Sequence, residues 1–227
     1  MLYKKLAFTL AEVLITLVII GIVAGMTVPT IQAIFDEKQR AAKVKKIYST
    51  YAQAFIFARA AGADMEFEEV DKNQQKMNEW YDEFMRPRLS TFKICYDSPG
   101  CWNGGDTFYW NGNKVDSNRS GIGIGNEIIV VILNDGTLVN MDMWSNQNMI
   151  KNTFGVDPKG AAVMVIFFDI NGPKLPNTVG RDVFVMLYSA KIGLVPAYNS
   201  KTFQQAETDC SKKKTGVSCI RKYLTKL

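Results

Sequence analysis

The sequence predicts an α+β fold, in which one long N-terminal α-helix packs against an antiparallel β-sheet of about four strands. Two observations predict it. An apolar run near the N-terminus continues without a break into a segment with amphipathic helical spacing. Apolar segments in the second half of the chain are separated by short turns, and strands with short connections favour an antiparallel sheet.

The first element is a helix long enough to cross a membrane. The residues from Phe8 to Val28 are apolar except for one glutamate and three threonines: Glu12, Thr9, Thr16 and Thr27. As a helix with about 1.5 Å per residue, this run spans roughly 30 Å, the thickness of a bilayer core. Lys4 and Lys5 precede the run, so the positive-inside bias places this end in the cytoplasm and the rest of the chain outside it.

The helix is predicted to continue to about Ala60 with one apolar face. Apolar residues recur every three to seven positions, at Ile34, Ala41, Val44, Tyr48, Tyr51, Phe55 and Ala58. Pro29 is expected to kink the helix or melt it locally, because proline lacks the backbone donor. Gly21 and Gly25 form a G-x-x-x-G pair that allows close helix approach; the alternative is a chance spacing in a glycine-tolerant span.

The stretch KKLAFTLAEVLITLVIIGIVAGMTVP, residues 4–29, resembles the N-terminus of type IV prepilins and of type II secretion pseudopilins. The resemblance rests on a short basic leader, a small residue before Phe8, a glutamate four residues beyond it, and a proline after the span. It implies a pilin-like fold, cleavage between Ala7 and Phe8, and methylation of the new Phe8 amine. The family usually has glycine before the cut, where this chain has Ala7.

The resemblance also implies partners and a location. The partners are a prepilin peptidase, an inner-membrane platform protein, an assembly ATPase, membrane lipid before assembly, and then copies of the chain and other pilin-like subunits. The location is the inner membrane, followed by a periplasmic pseudopilus or a cell-surface pilus. The predicted domain plan is a leader at residues 1–7, a transmembrane and assembly helix at 8–28, its amphipathic half at 29–60 and an exported globular domain at 61–227.

Glu12 lies inside the apolar run, where an ionisable side chain is costly and marks a functional site by default. Cleavage before Phe8 creates an amine four residues away, about one helical turn or 6 Å along the axis. Pairing of Glu12 with the Phe8 amine of a neighbouring subunit is expected to set the axial register of a filament. The alternative is a glutamate that stays hydrated at the bilayer edge.

The chain contains no histidine, which excludes Ser-His-Asp and Cys-His catalytic groupings and the commonest transition-metal ligand. The Asp and Glu residues show no paired spacing that would suit carboxylate catalysis. We therefore expect a structural protein without enzymatic activity. The formal net charge of +5 permits an anionic partner without requiring one.

The four cysteines form two local pairs along the sequence, Cys95 with Cys101 and Cys210 with Cys219. Neither pair has the C-x-x-C spacing of a zinc or redox site, and local pairing is favoured among the three connectivities. Four buried thiols are the alternative. Disulfides would place the domain in an oxidising space outside the cytoplasm, and the C-terminal pair is similar to the disulfide loop of many pilins.

The exported part is predicted to contain a short helix, a long loop region and four strands. Met77, Trp80, Tyr81 and Phe84 recur at helical spacing before Pro87. Residues 90–126 are rich in turn formers, and their aromatic residues Trp102, Tyr109 and Trp110 either contact a partner or lie beneath the loop. The predicted strands are EIIVVILN, TLVNMDMW, AVMVIFFDI and DVFVMLYSA.

The connector FDINGPKLPNTVGRDVF holds the one candidate cofactor site. Its oxygen-bearing side chains Asp169, Asn171 and Asp182 lie among tight turns and suit Ca²⁺. The stretch resembles one in the sheet region of the family, and some pseudopilins carry calcium in a comparable loop. The alternative is that these side chains cap backbone amides of the turn.

The C-terminal tail is the most basic segment of the chain. DNA is a conceivable partner for it, although a run of charge is more often a solvated face. A subunit of a type IV pilus-like filament is the favoured function, and a type II secretion pseudopilin is the alternative, favoured by the connector. A membrane-anchored adhesin or binding module is less favoured, because a mere anchor needs neither the cut site nor Glu12.

Overall fold

The computed structural model describes residues 9–63, 73–102, 107–115, 128–199 and 201–224. The chain falls into two compact units, with the boundary between Ala42 and Lys43. The predicted leader and the cut between Ala7 and Phe8 lie outside the described residues. The predicted domain limits at residues 28 and 60 stay predictions.

Helix α1 runs from Leu10 to Ala60, which confirms the single long helix. It includes Pro29 within its helical span, so local melting at this proline does not occur. Helix α2 spans Gln74–Trp80 and continues as a π-helical turn at Tyr81–Met85 and a 3₁₀ turn at Arg86–Arg88. The further helices are α3 (Gln147–Phe154), α4 (Phe203–Asp209) and α5 (Ile220–Leu224).

The sheet is antiparallel, which confirms the α+β class, but it contains six strands and not about four. The strands, in both chain and sheet order, are β1 (Thr91–Tyr96), β2 (Ile128–Leu133), β3 (Leu138–Trp144), β4 (Val163–Asp169), β5 (Val183–Ser189) and β6 (Gly193–Pro196). The two strands missed by the sequence analysis, β1 and β6, lie at the sheet edges. Strand β1 was hidden in the turn-rich region, and its pairing with β2 is a long-range contact that local composition does not encode.

The core of the unit that begins at Lys43 lies between α1 and the sheet. The buried residues of α1 are Val44, Ile47, Tyr51, Ala54, Phe55 and Ala58. Phe55 stacks on Tyr188 of β5 with ring centroids 3.7 Å apart. The Tyr48 hydroxyl donates to the Leu194 carbonyl of β6 (2.9 Å), and the Lys43 amine donates to the Ile170 carbonyl (2.8 Å). This part of α1 is therefore held to the sheet by both apolar packing and hydrogen bonds.

Candidate functional site

The part of α1 before Ala42 presents an exposed apolar surface. Every described residue from Thr9 to Asp36 is exposed, and Ile20, for example, is 63% exposed. Within the described part of the chain, α1 is the one helix long and apolar enough to cross a membrane. So much apolar surface is unfavourable in water, which indicates that lipid or other apolar helices cover it.

Glu12 begins α1 through a capping box with Thr9. The Glu12 carboxylate Oε2 accepts hydrogen bonds from the Thr9 backbone N–H (2.9 Å) and the Thr9 hydroxyl (2.8 Å). The Glu12 N–H donates back to the Thr9 hydroxyl oxygen at 3.3 Å. The signal was present in the sequence as T-x-x-E before an apolar run, and the sequence analysis missed Thr9. Phe8 lies outside the described residues, so its pairing with Glu12 stays a prediction.

The other polar side chains of the apolar run also form hydrogen bonds within the helix. The Thr16 hydroxyl donates to the Val13 carbonyl and the Thr27 hydroxyl to the Val23 carbonyl, each at 2.9 Å. Such local bonds let a hydroxyl enter hydrocarbon without losing its hydrogen-bonding partner. This segment is therefore compatible with lipid along its whole length.

Gly21 and Gly25 leave an open strip on α1. In the described part of the chain, a Cβ atom added to either glycine would meet no atom within 4 Å other than its neighbours along the helix backbone. The strip is thus available to a helix of another molecule, and a role of this pair in assembly stays a prediction.

The structure brings Asp169, Asn171 and Asp182 together in the connector between β4 and β5. Asp182 Oδ2 accepts bonds from the Asn177 N–H (2.9 Å) and the Asn171 side-chain amide (3.1 Å), and its Oδ1 accepts from the Thr178 N–H (2.5 Å). Asp169 Oδ1 accepts from the Asn171 N–H at 3.0 Å. Burial, reinforced by the nearby Asp182 carboxylate, raises the pKa of Asp169 to about 8.

These contacts match the turn-capping alternative, because both carboxylates accept bonds from N–H groups. In the described part of the chain, no group of three or more His, Cys, Asp or Glu side chains could hold a metal ion. One oxygen, the buried Asn171 Oδ1, has no hydrogen-bond partner and would suit a cation. Calcium here stays a prediction. A chelator that lowers the Tm of unfolding would support it, and an unchanged Tm would support capping alone.

The cysteines join in the two local pairs, Cys95 with Cys101 (2.08 Å) and Cys210 with Cys219 (2.09 Å). The C-terminal loop closed by the second pair is further held by Asp209. The carboxylate of Asp209 accepts bonds from the Thr215 hydroxyl (2.8 Å) and the Ser218 N–H (3.0 Å). The loop is therefore ordered by side-chain bonds as well as by its disulfide.

The described aromatic residues of the turn-rich region are buried or half-buried. Trp102 is 7% exposed, and its indole N–H donates to the Thr107 hydroxyl at 3.2 Å. Tyr109 and Trp110 are half-buried. Trp102 therefore offers little free aromatic surface to a sugar or a partner, whereas Tyr109 and Trp110 keep part of theirs exposed.

Comparison with known proteins gives one match. Residues 3–28 match the family model described as the prokaryotic N-terminal methylation motif. The searches of curated proteins and of solved structures return no match. The matched segment contains the capping box, both glycines and most of the exposed apolar surface described above. The chain thus carries at its N-terminus the methylation motif that is the signature of type IV pilins and pseudopilins.

Proposed function

We propose that this chain is a structural subunit of a type IV pilus-like filament, processed by a prepilin peptidase and polymerised through α1. The observation that carries the proposal is the exposed apolar surface of α1 from Leu10 to Phe35, with one carboxylate, Glu12, at its start. The matched methylation motif supports the processing step, since it covers this same segment.

Packing of these helices in a filament core explains both the exposed apolar surface of α1 and the carboxylate of Glu12. Burying the apolar side chains between subunits removes them from lipid or water, and each exposed Leu, Ile, Val or Phe adds favourable contact area. A carboxylate buried in that core needs a partner, and the methylated Phe8 amine of a neighbour supplies a positive charge at the same depth. One axial stagger brings the two charges together, so the pair selects the register.

Before assembly, α1 anchors the chain in the inner membrane, to which the apolar helix and the motif are suited. We place the N-terminus in the cytoplasm, because Lys4 and Lys5 precede the span. The two disulfides then belong to the exported side, where cysteines oxidise. The role is that of a building block and not of a catalyst.

The experiment is mechanical shearing of cells, with the chain detected in the filament fraction and its N-terminus determined by mass spectrometry. We expect a methylated Phe8 as first residue and recovery from surface filaments. A processed chain that stays in the periplasm would favour the pseudopilin alternative. Retention of residues 1–7, with no chain in any filament, would refute the proposal.

A further inference from the structure

Three segments that are far apart in the sequence form one composite surface, here called the basic platform: residues 107–115, 169–183 and 209–219. The Phe108 N–H donates to the Asn177 carbonyl (3.0 Å), and the Val179 N–H donates to the Phe108 carbonyl (2.8 Å). The Trp110 N–H donates to the Thr215 carbonyl at 3.0 Å. The first segment is thus bonded through its backbone to both of the others.

Two glycines bring the connector and the C-terminal loop into direct backbone contact. A Cβ added to Gly216 would lie 2.4 Å from the Val179 carbonyl oxygen, and one added to Gly180 would lie 2.8 Å from Cys219 Sγ. Both glycines have positive φ, near +79° and +89° respectively. This close approach places Arg181 beside the loop that carries Lys212, Lys213 and Lys214.

The basic platform is charged on its outside only. It has six exposed cations, Lys114, Lys174, Arg181, Lys212, Lys213 and Lys214, and the last five form no salt bridge within the described part of the chain. Its acidic residues Asp169, Asp182 and Asp209 are at most 7% exposed and accept hydrogen bonds inside the loops. The exposed side of the basic platform therefore carries positive charge.

We propose that the basic platform binds double-stranded DNA through its phosphates, a property separate from assembly of the filament. Lysine ammonium groups act as point charges toward phosphate, and five of the six exposed cations are lysines. A duplex presents a regular row of phosphates that can meet several such cations at once. Tyr109 and Trp110 are half-buried and so expose only part of their rings to a base, which makes a duplex the preferred ligand over a single strand. Contact with phosphates alone carries no sequence information.

The test measures duplex binding by the full chain in a neutral detergent, using fluorescence anisotropy of a labelled duplex over a salt series. We expect two unrelated sequences to bind with similar Kd. We also expect log K to fall with log salt with a slope of about −2 to −4, since each phosphate contact contributes about −0.9.

Replacing Lys212, Lys213 and Lys214 together by glutamine removes three of the six exposed cations without touching the disulfide. The slope of log K against log salt should become shallower by about 2 to 3, and the affinity for the duplex at low salt should fall about tenfold or more. The matched control is the triple change Lys38→Gln, Lys159→Gln and Lys191→Gln, which removes the same charge from exposed positions outside the basic platform. This control should retain most of the affinity. Arg181→Gln alone should reduce the slope by about 1.

Three outcomes would overturn the proposal. One is absence of duplex binding at low salt in the intact chain. Another is an equal loss in the control triple variant, which would assign binding to net charge and not to the basic platform. The third is tighter association with nanodiscs containing phosphatidylglycerol than with nanodiscs of neutral lipid, lost in the Lys212, Lys213 and Lys214 variant and without duplex binding, which would assign the surface to anionic lipid. The near-ultraviolet circular dichroism of each variant checks that the fold is intact.

Discussion

Helix α1 passes through two regions in which the same residue types have opposite environments. Before the boundary at Ala42, Phe35 is 61% exposed, whereas Phe55 in the second region is 2% exposed and stacks on Tyr188. The first segment is an almost continuous apolar run, and the second has apolar residues at helical spacing. The difference teaches that apolar content does not by itself locate a core, because the apolar side chains of the first region are exposed in the single chain.

Polar groups in the two regions follow the same division. In the first region Glu12, Thr16 and Thr27 bond within one turn of their own helix. In the second region the Lys46 amine reaches Asp135, 89 residues away, at 2.7 Å. Under the proposed function the first region passes from lipid into a filament and can rely only on local bonds, whereas a folded domain can use long-range ones.

The largest expected effect is at Glu12 and separates its two roles. Glutamine can replace glutamate in a capping box, so Glu12→Gln keeps the start of α1 but removes the charge. We expect Glu12→Gln and Glu12→Leu to insert in the membrane and to fail in assembly. An unpaired buried ammonium on the neighbour costs about 3–5 kcal/mol. Immunoblots of sheared and membrane fractions give the measurement. Normal incorporation of either variant into filaments would contradict the proposal that the charge pair sets the axial register.

Within α1, a change at Phe55 tests whether its second region is a core. Phe55→Ala should lower the free energy of unfolding by about 3–5 kcal/mol, because it leaves a cavity against Tyr188. Phe57→Ala is the matched control, since Phe57 is 58% exposed, and it should change stability by less than about 0.5 kcal/mol. Urea unfolding of the full chain in detergent, followed by tryptophan fluorescence, measures both. Equal losses would contradict the assignment of the core.

The C-terminal disulfide should matter to the second region alone. Replacing Cys210 and Cys219 together by serine should lower the free energy of unfolding by about 2–4 kcal/mol, because the unfolded chain regains the freedom of the closed loop. Membrane insertion, assayed by carbonate extraction, should be unchanged because it depends on the first region. A loss of insertion would show that the two regions are coupled.

Asp169 should make the second region less stable as the pH rises. Its pKa is raised to about 8 in the folded state by burial, so the folded chain keeps a proton that the unfolded chain releases above about pH 4. The free energy of unfolding should therefore fall between pH 5 and 8, by at most about 1.4 kcal/mol per pH unit. Asp169→Asn should flatten this dependence in urea titrations at several pH values. Parallel plots of the free energy of unfolding against pH for the unchanged chain and Asp169→Asn would contradict this role of Asp169.

The smallest expected effect is at the cut site. Ala7→Gly should give a small increase in the rate of leader removal, because glycine adds no side chain beside the scissile bond and leaves the backbone freer. The loss of the leader is followed by pulse-chase labelling and gel shift. Ala11→Gly, beyond the cut and inside α1, is the control and should leave the rate unchanged. A faster rate in both variants would attribute the effect to helix weakening.

Much of the first region could be predicted from the sequence, because its structure depends on near neighbours. Helical spacing, the charged leader and Glu12 are all local signals, and they suffice for one long helix that carries the pilin signature. The hydrogen bond between Thr9 and Glu12 also joins near neighbours in the sequence. The sequence analysis missed it because it considered only the charge of Glu12. The two disulfides also join near neighbours in the sequence.

The edges of the sheet and the basic platform were decided by the tertiary structure. Strand β1 exists because Cys95 and its neighbours pair with β2, more than thirty residues later in the chain. The connector and the C-terminal loop meet because Gly180 and Gly216 let their backbones touch. Sequence alone determined where the chain is apolar, charged or able to turn. Which distant segments meet depends on packing and hydrogen bonds that exist only in the folded chain.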